Sequence, residues 1–306
     1  MAMITVRTVI ILGAGASRPY GFPTGRELRD EVIRISGKTW AAPIEKLGFK
    51  YNEYGEFASA LARSGYESVD AFLEDRPQYT DIEKAAIALN LVKFELPRAL
   101  FPPEQPRDHW YEVLWSKMKA PSWAGFKKNS LAIITFNYDR SLEHYLATLV
   151  CNNYNIRLAT AARGIRSLPI LHVHGTLGEY GTPPYNEDPY GRRIDTQLLD
   201  IARQSIEIVH ESDASSSSFQ KANQLIKDAN KILFIGFGYH LSNMKKLGIL
   251  PEAKGDPRPL GGKFVLGTHK GYKADQWARF CRSCGFPEMA ERSGGVSMSD
   301  FLSRWL

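Results

Sequence analysis

Five short stretches of the chain are predominantly apolar and rich in β-branched residues: Thr8–Leu12 (TVIIL), Leu131–Thr135 (LAIIT), residues 170–173 (ILHV), Lys231–Ile235 (KILFI) and residues 263–266 (KFVL). Apolar runs without alternation suit strands that are buried on both faces, as in a parallel sheet. Helical spacing appears elsewhere. Leu28, Val32 and Ile35 recur on one face over residues 25–36, with Thr24 placed to cap that helix. Residues 139–148, 219–229 and 273–281 read as further helices. Between the first two predicted strands no β run appears. Residues 57–62, 69–73, 82–100 and 110–118 read as helices instead, with Ile87, Leu91 and Phe94 on one stripe of the third. Pro102, Pro103 and Pro106 interrupt before the last of them.

Strands alternating with helices predict an α/β protein built on a doubly wound (Rossmann-like), mostly parallel sheet. Residues 40–123 are expected to be a helical insertion after the first strand. The serine-rich residues 212–218 read as a flexible loop within a domain, no internal repeat is evident, and residues 1–306 are expected to form one α/β domain.

Composition narrows the function classes. Hydrophobic residues make up 43% and charged residues 24%, ordinary globular usage that argues against wholesale disorder. The net charge of +6 is modest and spread along the chain, with no run of about five or six like charges. It suits a small anionic ligand and does not indicate nucleic-acid binding, which needs a clustered basic face. Three cysteines, Cys151, Cys281 and Cys284, argue against a secreted disulfide scaffold. No apolar run approaches the length of a membrane span, and the apolar opening is too short for a signal peptide. The expectation is a cytoplasmic protein with no membrane partner.

Four groups of residues carry candidate chemistry, each at the end of a predicted strand. Gly13, Ala14, Gly15, Ala16 and Ser17 follow the first strand. Glycines here permit a tight turn and let backbone N–H groups approach phosphate oxygens, although Arg18 stands where a dinucleotide fingerprint has its third glycine. A bare strand-to-helix turn is the alternative. Asn137 and Asp139 follow the second strand, at the edge where parallel sheets bind ligands. An amide that donates and accepts can orient a water and a sugar hydroxyl together, and a carboxylate can hold a ribose hydroxyl. Both residues also suit a helix cap. His174 follows the third strand and, as a neutral imidazole, can accept a proton; a hydrogen-bonded structural histidine is the alternative. Period-two alternation places His172 on the same strand face as His174. Gly236 and Gly238 make a second glycine turn after the fourth strand.

These groups, with Pro23 and Thr24 in the stretch Gly21-Phe22-Pro23-Thr24-Gly25, resemble the motifs of sirtuin-like domains in type and order. The resemblance spans the predicted sheet, from about Thr8 to Leu266. It implies NAD as ligand, with Gly13, Ala14, Gly15, Ala16, Ser17, Pro23, Thr24, Asp139, Gly236 and Gly238 binding it and Asn137 and His174 acting on it. Protein-deacylating sirtuins carry a zinc module of two Cys-x-x-Cys pairs, whereas this chain has the one pair Cys281 and Cys284. The remaining resemblance is to the zinc-free bacterial antiphage branch, whose members hydrolyse NAD. It implies an NAD glycohydrolase using NAD as substrate, gated by self-association, an activating protein or a nucleotide signal. An NAD or ADP-ribose sensor without turnover is the alternative, with deacylation or ADP-ribosyl transfer a further one.

Three cysteines cannot supply four thiolates, and no histidine follows Cys284 at finger-like spacing. Chelator-washed protein is therefore expected to hold no stoichiometric zinc, and metal analysis by mass spectrometry checks this; one zinc per chain would revive the deacylase alternative.

Overall fold

The computed structural model describes residues 3–34, 41–104, 108–182, 190–191, 196–207, 216–250, 259–270, 272–286 and 296–306. Strands β1 (Thr8–Leu12), β2 (Leu131–Thr135), β3 (Ile170–His172), β4 (Lys231–Ile235) and β5 (Phe264–Gly267) form one sheet in the order β3-β2-β1-β4-β5. Every pairing is parallel. Thr8 lies opposite both Leu131 and Lys231, and Leu12 opposite both Thr135 and Ile235, so the carboxyl ends of β1, β2 and β4 are level. The order runs outward from β1 in both directions. The junction of β1 and β4 is therefore the point at which connections reverse, where sheets of this kind open a ligand crevice.

Strand residues divide between two apolar layers with the period of two expected of extended chain. Ile10, Leu12, Leu131, Ile133, Leu233 and Leu266 face a thick layer that includes the helices Gly25–Arg34, Tyr51–Ala62, Thr80–Val92, Trp110–Met118, Ser141–Tyr154 and Leu158–Ile165. Val9, Ile11, Ala132, Ile134, Ile232, Phe234 and Val265 face a thinner one built on the helices Ser217–Asp228, Leu241–Lys246 and Ala274–Ser283. The sheet is thus covered on both faces, as its unbroken apolar strands require. Among the described residues no helix is long and apolar enough to cross a membrane.

All five expected strands are present in the one sheet. β3 ends a residue early and β5 is displaced by one, running over Phe264–Gly267. Residues 35–40, the end of the helix expected over 25–36 and the start of the expected helical region, lie outside the described residues. From Ala41 to Phe126 the described secondary structure is helical. The helix expected over 82–100 is two: Thr80–Val92 and Pro97–Leu100. Leu96 takes extended angles, φ −109° and ψ 109°, as the residue before a proline tends to. Nor is the first of these amphipathic, since Ile82, Glu83 and every residue from Ala85 to Val92 are buried. Packing on several sides, by Gly25–Arg34, Tyr51–Ala62 and Thr196–Ser205, replaces the single stripe.

The serine loop is also corrected. Residues 212–215 lie outside the described residues, but Ser216 accepts a hydrogen bond from the Phe219 N–H at 3.3 Å and caps a helix that Ser217 and Ser218 begin. Serine is favoured at that position because its hydroxyl satisfies a first-turn N–H. The helices Leu158–Ile165, Thr196–Ser205, Leu241–Lys246 and Met298–Trp305 were not anticipated.

Leu89 is fully buried in the enclosed helix. Leu89→Ala is expected to lower stability by about 2–5 kcal/mol, the range for an unrelieved core cavity. Equilibrium urea unfolding measures it, and a loss below about 1 kcal/mol would be inconsistent with this enclosure.

Candidate functional site

Two turns meet at the reversal point. After β1 the backbone makes a single 3-10 turn over Ala14–Ala16, and after β4 Gly236 enters the left-handed region with φ +57°. The Gly15 N–H donates to the Gly236 carbonyl at 3.0 Å, and the Gly13 N–H to the Ile235 carbonyl at 3.1 Å. A Cβ on Gly13 would lie 2.6 Å from the Gly236 oxygen, one on Gly15 2.9 Å from it, and one on Gly236 2.1 Å from the Ala16 nitrogen. These glycines are thus demanded by the contact of two backbones. The N–H groups of Ala16 and Ser17 are also used, by the carbonyls of Gly13 and Ala14. Most of the turn's donors therefore hold the turn itself together. Gly238 is exposed, and a Cβ there would meet only the His240 ring, at 3.1 Å.

Thr24 is a cap. Its N–H and hydroxyl donate to the Glu27 carboxylate at 2.8 and 2.9 Å, while its Oγ1 accepts from the Glu27 N–H at 3.4 Å. This reciprocal pairing starts the helix Gly25–Arg34 just after Pro23. The Arg18 guanidinium, with the Thr24 donors, holds the Glu27 carboxyl down at about 2.

On the β2 side of the turns the buried polar residues form one chain of hydrogen bonds. Asn137, 9% exposed, donates both amide hydrogens from Nδ2, to the Gly13 carbonyl at 3.0 Å and to Ser17 Oγ at 2.9 Å. Ser17 in turn donates to Asp139 Oδ2 at 2.6 Å. The other carboxylate oxygen accepts from the Ser141 N–H at 3.1 Å and from its hydroxyl, which lies 2.7 Å from Tyr111 Oη. Burial raises the Asp139 pKa above the usual carboxylate range, and the hydrogen bonds from Ser141 and Ser17 oppose it. Asp139 thereby serves the helix start as well as the cluster. Among the described residues, Asn137 Oδ1 is buried and meets no hydrogen-bond donor.

His172 closes the cluster. Its Nδ1 lies 2.8 Å from the Asn137 backbone carbonyl and its Nε2 2.6 Å from Glu143 Oε1. Burial disfavours the charged ring, but the Glu143 carboxylate, helped by the Asn137 carbonyl and Asp139, outweighs it and the pKa lies above its ordinary value. Ser17, Tyr111, Asn137, Asp139, Glu143 and His172 all line one cavity of about 10 Å³, the size of a single water. Beside it, Arg140 makes a two-point ion pair with Glu95 at 2.8 and 2.5 Å. That pair ties the segment just after the enclosed helix Thr80–Val92 to the start of Ser141–Tyr154.

His174 lies elsewhere. β3 stops at His172, Val173 joins the second apolar layer, and the His174 ring meets Phe136 and Phe219 edge-on, with centroids 5.4 and 5.7 Å away. The two histidines therefore do not share a strand face, because the alternation that would align them ends with the strand. Burial, and then the Lys246 charge, lower the His174 pKa to about 3. Gly175 takes φ +71°, and a Cβ there would lie 1.9 Å from the Ser205 carbonyl, so glycine is required to turn the chain.

Of the residues that the sequence singles out, the structure joins Ser17, Asn137 and Asp139 by hydrogen bonds and leaves His174 apart from them; Glu143, Tyr111 and Ser141 complete the cluster and were not among the sequence candidates. Glu143 had one legible signal, its place in the first turn of the helix after Asn137; Tyr111 had none, since it arrives from a distant helix. Among the described residues no cluster of three His, Cys, Asp or Glu side chains is arranged to hold a metal.

Gly236→Ala combines a left-handed φ with a backbone clash, so it is expected to cost about 3 kcal/mol or more. Thermal and chemical unfolding measure this, and an unchanged melting temperature would contradict the contact between the turns. Gly15→Val is expected to destabilise as well, so it does not separate ligand binding from folding. Comparison with protein-family models and with curated proteins matches none of them to this chain.

Proposed function

We propose that the chain is an NAD glycohydrolase of the zinc-free sirtuin-like kind, releasing nicotinamide and ADP-ribose. The observation that carries the reading is the Asn137 carboxamide. Both of its hydrogens are committed within the protein, and among the described residues its Oδ1 is buried without a donor, at the carboxyl edge of a doubly wound sheet on the β2 side of β1. Such an oxygen is a fixed acceptor for a water or a ribose hydroxyl.

The chemistry asks little more. Nicotinamide leaves as a neutral base from a cationic ring, so the C1–N bond breaks with its electron pair going to nicotinamide and positive charge passing to the ribose. Asn137 Oδ1 orients the attacking water, and the Asp139 carboxylate lies close by to stabilise the ribosyl cation. Water oxygen bonds to C1 and one proton is released. His174, neutral at physiological pH, accepts that proton in this reading, a role taken from the resemblance. In this reading the backbone of the turns at Gly13 and Gly236, with Pro23 and Thr24, receives the pyrophosphate, a role likewise taken from the resemblance. A role in antiphage defence, and gating by self-association, an activating protein or a nucleotide signal, belong to the same resemblance.

A second reading is an NAD or ADP-ribose sensor without turnover. It is favoured by the placement of His174 in an aromatic pocket apart from the cavity-lining residues.

Under conditions where the unaltered protein releases nicotinamide, Asn137→Asp and His174→Ala are expected to lower turnover about a hundredfold or more, the scale of a lost positioning group or general base. NAD affinity measured by calorimetry is expected to change far less. Near-normal turnover in both variants would refute the catalytic assignment, and NAD binding without cleavage under any condition would favour the sensor.

A further inference from the structure

The Glu143–His172 pair has a geometry that restricts what it can do. A carbonyl oxygen only accepts, so His172 Nδ1, 2.8 Å from the Asn137 carbonyl, carries a hydrogen. Nε2 lies 2.6 Å from a carboxylate oxygen, and a short contact to an ionised carboxylate likewise calls for a hydrogen on that nitrogen. With both nitrogens protonated the ring is an imidazolium, and neither nitrogen has a lone pair for substrate or water. A general base in the manner of a carboxylate–histidine dyad is therefore excluded while the pair is intact. What the ring does is join three elements: the end of β3, the loop after β2 and the first turn of the helix Ser141–Tyr154.

The loop it grips is the one that presents Asn137. The backbone N–H of that residue is held by Thr135 Oγ1 at 3.1 Å, its carbonyl by His172 and its side-chain hydrogens by Gly13 and Ser17. Each bond removes a freedom, and the carbonyl bond alone is charge-assisted. From these contacts we infer that His172, charged and paired with Glu143, is a positioning residue that fixes the direction of Asn137 Oδ1 into the site. The inference rests on the glycohydrolase reading for its catalytic consequence and on the structure for the clamp itself.

The clamp makes the site sensitive to pH. The titratable groups facing His172 among the described residues are Glu143 on the helix Ser141–Tyr154 and Asp139 on the loop after β2, both of which favour the charged ring. Tyr111 lines the cavity from the helix Trp110–Met118, and burial keeps its phenol protonated. The competent form is the imidazolium, whose pKa is raised, so competence is present at lower pH and is lost as pH rises through that raised value.

Full-length protein labelled with ¹⁵N-histidine tests this by NMR together with nicotinamide release. In the unaltered protein both His172 nitrogens are expected to read as protonated at neutral pH. In Glu143→Gln the His172 midpoint is expected to fall by about one unit or more. The alkaline limb of turnover is expected to move down with it, with kcat reduced about tenfold and KM changed less than about threefold. A His172 that titrates at its ordinary value in the unaltered protein, or an alkaline limb that stays in place in Glu143→Gln, would overturn the proposal. Should Glu143→Gln not fold, His172→Gln takes its place and is expected to lose the alkaline limb altogether. If no condition yields nicotinamide, the glycohydrolase reading fails, and the clamp is judged on the Asn137 side-chain amide. Its hydrogens are expected to exchange faster with solvent in the folded variant, and unchanged exchange would overturn the clamp too.

Discussion

The turn after β1 lies against the turn after β4 at a distance that leaves no room for a side chain on either. Gly13, Gly15 and Gly236 meet backbone to backbone, and two hydrogen bonds seal the contact. Everything at the carboxyl edge of the sheet is referenced to that contact. It fixes where the Gly13 carbonyl and the Ser17 hydroxyl stand, and those are the two acceptors that hold the Asn137 amide. The helix Trp110–Met118 is tied to the same place, through Trp110 Nε1 to the Ala16 carbonyl at 2.8 Å and the Tyr111 N–H to Tyr20 Oη at 2.8 Å.

Behind the contact, a hydrogen-bonded chain runs from Tyr111 through Ser141, Asp139 and Ser17 to Asn137. Burying so many polar groups costs free energy unless each finds a partner. Among the described residues the donors of this chain are used almost completely, and its atom left over is an acceptor, Asn137 Oδ1. That asymmetry is the physical basis for reading the cluster as a place that receives a hydroxyl or a water. The nearby Glu95–Arg140 pair adds rigidity at the same helix start. Breaking a pair this deeply buried would leave an uncompensated charge, which is far costlier than the pair itself is stabilising.

The two histidines near the end of β3 show how a single residue of chain direction reassigns chemistry. Residues 172 and 174 have equal standing in an alternating strand, and the pairing of His174 with Gly175 drew attention to the second. The strand ends sooner, Gly175 takes a left-handed turn under the Ser205 carbonyl, and His174 swings into an aromatic pocket. His172 is left on the cavity, where the Glu143 carboxylate raises its pKa above the ordinary value. The pKa values diverge for the same reason: one ring is surrounded by aromatic groups and a lysine, the other by carboxylates and a carbonyl.

The sequence by itself determined the five strands and their parallel arrangement, because a segment buried on both faces must be apolar throughout, and TVIIL, LAIIT and KILFI have few other uses. It also placed Ser17, Asn137 and Asp139 at strand ends, hence at one edge of the sheet. Helices such as Trp110–Met118 were legible from spacing, whereas Thr80–Val92 was misjudged because enclosure on several sides erases the stripe by which a surface helix is recognised. Only the tertiary structure decided the strand order and the contact of the glycine turns. It alone brought Glu143 and Tyr111 to Asn137 and sent His174 away from His172. Those outcomes depend on which backbones touch and which way a chain leaves its strand, and contacts between distant segments leave no periodic trace in the residues that make them.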